Sequence, residues 1–199
     1  MIRTTRKTFL LTTIFLVLTL LVKAQNVYNV MSYGAKGNGV ADDATAIQKA
    51  IDKCEQNGGG IVLFPSNHVF ISGPLELKSN VELHLETTAT LKANPDESIY
   101  KISAFGKNEG EGMLWIWAKN ADNISITGKG CIHGNGISFM GKELGDSYEL
   151  KPVTNFDPRP HVLSLTDVRN LTIKDVTIRE GAYWTVHLIG CNGAVIDGI

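Results

Sequence analysis

Four short stretches of the sequence share one pattern. Asn80-Val81-Glu82-Leu83, Asn123-Ile124-Ser125-Ile126, Asn170-Leu171-Thr172-Ile173 and Asn192-Gly193-Ala194-Val195 each set an Asn ahead of residues suited to point alternately in and out. Their starts lie 43, 47 and 22 residues apart, so the first two spacings are close to twice the third. A period of about 22 residues built from strands alone predicts stacked coils, a parallel β-helix. Each coil carries inward Val, Ile and Leu that it cannot bury alone. Stacking buries them and pairs each strand edge with the next coil. Asn at a fixed coil position tolerates left-handed backbone, which suits a recurring bend. The 20 Gly among 199 residues fit the many tight turns such a chain needs.

One segment has another period. In residues 42–57, DDATAIQKAIDKCEQN, the apolar Ile47, Ala50, Ile51 and Cys54 fall at i, i+3, i+4 and i+7, which predicts a helix. Asp42 or Asp43 is suited to accept from its first free N–H groups, and Gly58-Gly59-Gly60 ends it. This helix is expected to cap the N-terminal end of the stack. Strands follow, from Ile61-Val62-Leu63-Phe64 to Leu75, Leu77, Val81, Leu83 and Leu85 at period two. Residues 94–112 and 137–158 break the repeat and read as excursions that build a binding face on one side.

The start of the chain has the layout of a signal peptide. Arg3, Arg6 and Lys7 precede the uncharged run FLLTTIFLVLTLLV, and Val22-Lys23-Ala24 supplies a cleavage site. The run falls short of the roughly 20 residues that span a bilayer, so export with cleavage after Ala24 is expected. The signal is residues 1–24, and residues 25–199 form the β-helix domain, with no membrane attachment after cleavage. Loss of residues 1–24 leaves 15 basic against 20 acidic residues, a net charge of −5. That balance speaks against nucleic acid as a partner, and no obligate protein partner is inferred. Cys54, Cys131 and Cys191 are an odd number, each among apolar residues. They read as buried thiols, with one disulfide plus one free thiol left open. No metal-ligand spacing or clustered acidic set is visible, so no cofactor is expected.

The motifs then become specific. Tyr33-Gly34-Ala35-Lys36-Gly37-Asn38-Gly39, the Asp42-Asp43 helix and Gly58-Gly59-Gly60-Ile61-Val62-Leu63-Phe64-Pro65 resemble the opening of pectin-degrading β-helix enzymes. The stretch from Asn123 through Gly128, Gly130, Ile132 and Gly134 to Gly136 is similar to the NIxIxGxGxIDGxG stretch of polygalacturonases, glycoside hydrolase family 28, with His133 where the family has Asp. Arg159-Pro160, then Asn170-Leu171-Thr172-Ile173, then Trp184 and His187 fit the same family in order. The resemblance covers nearly all of residues 27–199. It implies an all-β, right-handed, pectin-lyase-like parallel β-helix and inverting hydrolysis of a pectic polysaccharide, a polyuronide. The family's Asn-Thr-Asp, Gly-His-Gly and Arg-Ile-Lys motifs do not occur in these residues, and the one Asp-Asp pair, Asp42-Asp43, stands at the helix start and outside the family's order for that motif. The chain is therefore expected to carry the N-terminal portion of such an enzyme, truncated before its catalytic half and inactive alone. A polysaccharide lyase on the same scaffold and a non-catalytic polysaccharide-binding β-helix are the alternatives.

No residue here is assigned as catalytic. Inverting hydrolysis needs two carboxyl groups roughly 6.5–9.5 Å apart on either side of the scissile bond. Asp197 tempts, but it stands five residues after Asn192, as Asp175 does after Asn170, which marks both as recurring turn positions. The Asp42-Asp43 pair belongs to a helix start. His68, His84 and His133 read as structural, and His161 is open to either orientation. Arg159 is the leading substrate-binding candidate, because a guanidinium pairs bidentately with a uronate carboxylate. His187 and Trp184 are the others, in the penultimate coil. Trp115 and Trp117 alternate with Ile116, which predicts that both lie on one side of a strand.

Overall fold

A computed structural model describes residues 25–103, 112–151 and 157–199. The expected signal segment, residues 1–24, lies outside the described residues. Three parallel sheets make up the body. The first holds β1 (Val27–Asn29), β3 (Gly60–Phe64), β6 (Val81–Leu85), β9 (Asp122–Gly128), β14 (Arg169–Lys174) and β17 (Asn192–Asp197), stacked in that order. The second stacks β2 (Asn38–Asp42), β4 (Val69–Ser72), β7 (Thr90–Ala93), β10 (Cys131–His133) and β15 (Thr177–Arg179). The third stacks β5 (Leu75–Glu76), β8 (Met113–Lys119), β13 (Pro160–Thr166) and β16 (Val186–Ile189). The chain visits the sheets in turn, so each round of the three is one coil of a parallel β-helix.

Why these strands stack is visible in the register. Val62, Leu83, Ile126 and Ile173 are successive partners across the first sheet, and all four are buried. Such a ladder places like side chains about 4.8 Å apart, and each burial contributes roughly 1.5–3 kcal/mol. Ile196 extends the ladder on β17 but is 43% exposed. Glu82, His84, Ser125 and Thr127 alternate with the inward set on the outer face. His84 Nδ1 lies 2.7 Å from Thr127 Oγ1, which donates to Glu82 at 2.6 Å.

The repeat has a different arithmetic from the sequence reading. Asn80, Asn123 and Asn170 stack directly, with Asn123 donating to Asn80 at 2.8 Å and Asn170 to Asn123 at 2.9 Å. The spacings of 43 and 47 are thus single coils enlarged by an excursion, not two coils each. In the last coil Arg169 pairs with Asn192 and Leu171 with Ala194, so Gly193 faces Asn170 and takes the left-handed position at φ 72°. Asp197 correspondingly pairs with Lys174, and Gly198 follows Asp175 and Gly128 in a second left-handed row. Asp175 is a turn position as expected, whereas Asp197 is a strand residue one place earlier.

The helix α1 (Ala44–Gln56) buries Ile47, Ala50, Ile51 and Cys54 against β1 and β3, capping the first coil. The two acids at its start divide their work. Asp42 Oδ1 accepts from Ala44 N at 2.8 Å, while buried Asp43 accepts from Lys36 N at 2.6 Å and Gly37 N at 3.0 Å. Gly58 N and Gly59 N close the far end on Glu55 O and Cys54 O, each at 2.9 Å. Among the described residues no helix is long and apolar enough to cross a membrane. Cys54, Cys131 and Cys191 are all free thiols, and burial pushes Cys54 up to about 11.

Candidate functional site

The outer face of the third sheet carries the chemistry. Leu75, Ile116, Leu163 and Val186 are register partners on its inner side. The next residue along each strand gives Glu76, Trp117, Ser164 and His187, an outward row crossing four coils. Both excursions enter this sheet at the N-terminal ends of its strands. They touch each other through Tyr100 and Phe139, whose rings meet edge-on at 5.7 Å, and through Lys151 and Glu97 at 2.5 Å. The short hairpin of β11 (Glu143–Leu144) and β12 (Ser147–Tyr148) belongs to the second excursion.

At that edge the structure brings Arg159, Trp184 and His187 together and adds Asp157, His161 and Tyr183. Arg159 Nε lies 2.9 and 2.8 Å from the two Asp157 oxygens, its Nη2 also donates to Asp157, and its Nη1 reaches Ala182 O at 3.4 Å. The guanidinium carbon sits 4.8 Å above the Tyr183 ring. Tyr183 and Trp184 stack within 8° of parallel at 5.9 Å, and the Trp184 ring meets His187 edge-on at 4.2 Å. His161 lies 4.9 Å from Tyr183, 5.4 Å from Trp184 and 5.2 Å from His187, ring centre to ring centre.

Electrostatics follow from burial. His161 is fully buried, and desolvation pushes it down to about 4; His187 nearby adds to that, and Asp157 opposes it. Burial also lowers His187. Both imidazoles are therefore neutral near pH 7 and pack against the neighbouring rings. Asp157 raises Arg159 further above its ordinary range. The ion pair holds the guanidinium fork that the sequence reading offered to a uronate. No group of three or more His, Cys, Asp and Glu suited to a metal occurs among the described residues.

Other candidates fall elsewhere. Trp115 is buried and donates to Ser72 Oγ at 3.1 Å, whereas Trp117 is half-buried in the outward row, so the two do not share a side. His133 lies 3.3 Å from Glu180, and His68 lies beside Phe70. A concavity of about 490 Å³ lies on the first sheet's outer face, away from these residues, lined by His84, Glu86, Thr127, Lys129 and Lys174. Asp157 was missed in the sequence, although its place two residues before Arg159 across Pro158 was available as a signal. Tyr183 stood beside a named candidate and has no periodic mark of its own.

The coil order and in-register stacking define a right-handed parallel β-helix of the polygalacturonase type. Residues 27–134 match the family described as rhamnogalacturonase A/epimerase, pectate lyase-like, and the chain belongs to that family. It is 28% identical over 164 residues to a polygalacturonase of Malus domestica, covering 81% of this chain and 32% of that protein. It is 30% identical over 177 residues to the plasmin and fibronectin-binding protein A of Streptococcus pneumoniae, covering 85% of this chain and 23% of that one. The solved exopolygalacturonase of Thermotoga maritima superposes with a TM-score of 0.72 at 24% identity, over 87% of this chain and 46% of its own. The chain thus spans a third or less of the length of these two curated relatives.

Proposed function

We propose that this chain is the N-terminal part of an exported glycoside hydrolase that binds pectic polysaccharide along the outer face of its third sheet. Hydrolysis would be inverting, with the carboxylate pair supplied from outside residues 25–199. The observation that carries this reading is the row of half-buried Glu76, Trp117 and His187, with buried Ser164 between Trp117 and His187, flanked by the exposed Trp184. It is a polar and aromatic strip running along the stack, as a linear polysaccharide requires. Polygalacturonase relatives and the family match support the substrate class. The family's Asn-Thr-Asp motif is absent from this sequence, and its one Asp-Asp pair, Asp42-Asp43, accepts backbone N–H groups at the helix start, which supports the division of labour.

The test is binding and turnover by the protein on polygalacturonate and rhamnogalacturonan. Saturable binding without release of reducing ends is expected. Release of reducing ends would overturn the assignment of the catalytic groups elsewhere, and an unsaturated product would establish the lyase instead. Export is tested by N-terminal sequencing of protein recovered outside the cytoplasm, expected to start at Gln25; material still starting at Met1 would refute it. A non-catalytic binding role is the second reading, favoured by the 30% identity to a plasmin and fibronectin-binding protein.

A further inference from the structure

Arg159 is the obvious cation for an acidic sugar, but it is engaged. Its Nε and Nη2 are directed at Asp157 and its Nη1 at the Ala182 carbonyl, with side chains 17% and 11% exposed for Arg159 and Asp157. A uronate that claimed this fork would strand the Asp157 carboxylate in a site with little water. The pair therefore cancels its own charge at the edge of the third sheet.

What the pair presents instead is a stack. Arg159 lies over Tyr183, Tyr183 lies parallel to Trp184, and His187 supports the Trp184 ring from the side. Trp184 is held this way and is still 46% exposed. A large aromatic ring that is both fixed and open offers contact area at low cost in side-chain entropy. Its π face carries partial negative charge, which favours the C–H groups of a pyranose and disfavours an adjacent carboxylate.

We infer that Trp184, braced by Tyr183 and His187, is a stacking platform for a pyranose ring without a free carboxylate. Such a ring is a neutral hexose or deoxyhexose, or a uronate blocked as its ester. Asp157 sets the preference by withholding the Arg159 guanidinium from the ligand. This rests on the proposal that the third sheet's outer face binds polysaccharide, and it names what one position along that face takes.

Calorimetric titration of the protein with three oligosaccharides tests it: a rhamnose-containing neutral one, a fully methyl-esterified oligogalacturonide and its free acid. The uncharged ligands are expected to bind about fivefold or more tightly than the acid, with affinities unchanged by salt. The tighter of the two identifies the natural source. Trp184→Ala should weaken both by about tenfold, or roughly 1.4 kcal/mol, with unchanged circular dichroism. Asp157→Asn, which frees the guanidinium, should move the preference toward the acid. Tighter binding of the acid that falls with salt would overturn the inference and leave the proposed function standing, as would full affinity in Trp184→Ala. Binding of none of the three would overturn both.

Discussion

The Asn123 side-chain amide donates to Asn80 at 2.8 Å across a sequence separation of 43 residues, and Asn170 donates to Asn123 in turn. All three take left-handed backbone, at φ 63°, 56° and 58°. The ladder therefore needs a residue that tolerates positive φ and also hydrogen-bonds along the stack. Asn123→Ala loses both properties and should cost roughly 1–3 kcal/mol. Asn123→Gly restores the backbone freedom alone and should cost less than Asn123→Ala. Urea titrations of the two variants decide it; equal losses would assign the whole effect to the side-chain bonds.

The Asp157–Arg159 pair makes the opposite demand, because charge must not be left alone. Asp157→Asn strands a largely buried guanidinium and should destabilise the chain by roughly 3 kcal/mol or more. Arg159→Lys should fare little better, since an ammonium cannot reproduce the two-pronged contact or lie flat over Tyr183. A double-mutant cycle, with Asp157→Asn and Arg159→Gln combined, should recover part of the loss. Strict additivity would show that the pair has no coupling.

Much of this molecule was legible in the sequence, for reasons that also mark where legibility ends. Period two in residues 75–85 and period 3.6 in the helix are local signals, and both elements formed. The step from repeat to coil was misjudged, because a sequence distance of 43 does not say how much of it goes around the stack. Asn192 and Gly193 are adjacent residues that both tolerate positive φ, so the motif alone could not choose between them. Burial of Ala194's ladder partner Leu171 fixes the choice, and that is a three-dimensional fact. In the site, Arg159, Trp184 and His187 were visible as residue types. That Asp157 occupies Arg159, and that His161 is buried among the rings, depends on where the second excursion rejoins β13, which no periodicity encodes.

Acid should loosen this region before the rest. Burial, reinforced by His187, lowers His161 to about 4, while Asp157 pulls the other way; Tyr183 and Arg159 complete its charged and titratable surroundings. An unfolded His titrates near 6.5. Above that value both states are neutral and the stability is intact. Between about 6.5 and 4 the unfolded chain binds a proton that the folded chain refuses, so stability falls as pH falls. The loss from His161 amounts to about 3 kcal/mol once pH is below 4, and the lowered His187 and His133 add in the same direction. His161→Gln should flatten stability over this window in chemical denaturation at stepped pH. An unchanged slope would place the acid sensitivity elsewhere.

The last coil offers a gain. Gly193 occupies the left-handed place that Asn fills in the three coils before it, at φ 72°. Its missing side chain would start 3.2 Å from Asn170 Oδ1, close enough that Asn170 must shift by a few tenths of an ångström. Asn tolerates the backbone angle, and its amide can donate to Asn170 as Asn170 donates to Asn123. Gly193→Asn also narrows the unfolded ensemble, an effect of about 0.4–1 kcal/mol for comparable glycine replacements. The variant should therefore be more stable than the parent, and Gly193→Ala, which strains the backbone and adds no bond, should be less stable. Gly128 is the control in the second left-handed row. A Cβ there would lie 2.1 Å from Leu85 O, so Gly128→Ala should be severely destabilising whatever its polarity. Melting temperatures of the three variants test the register directly. A Gly193→Asn protein less stable than Gly193→Ala would mean that Asn192, not Gly193, continues the ladder.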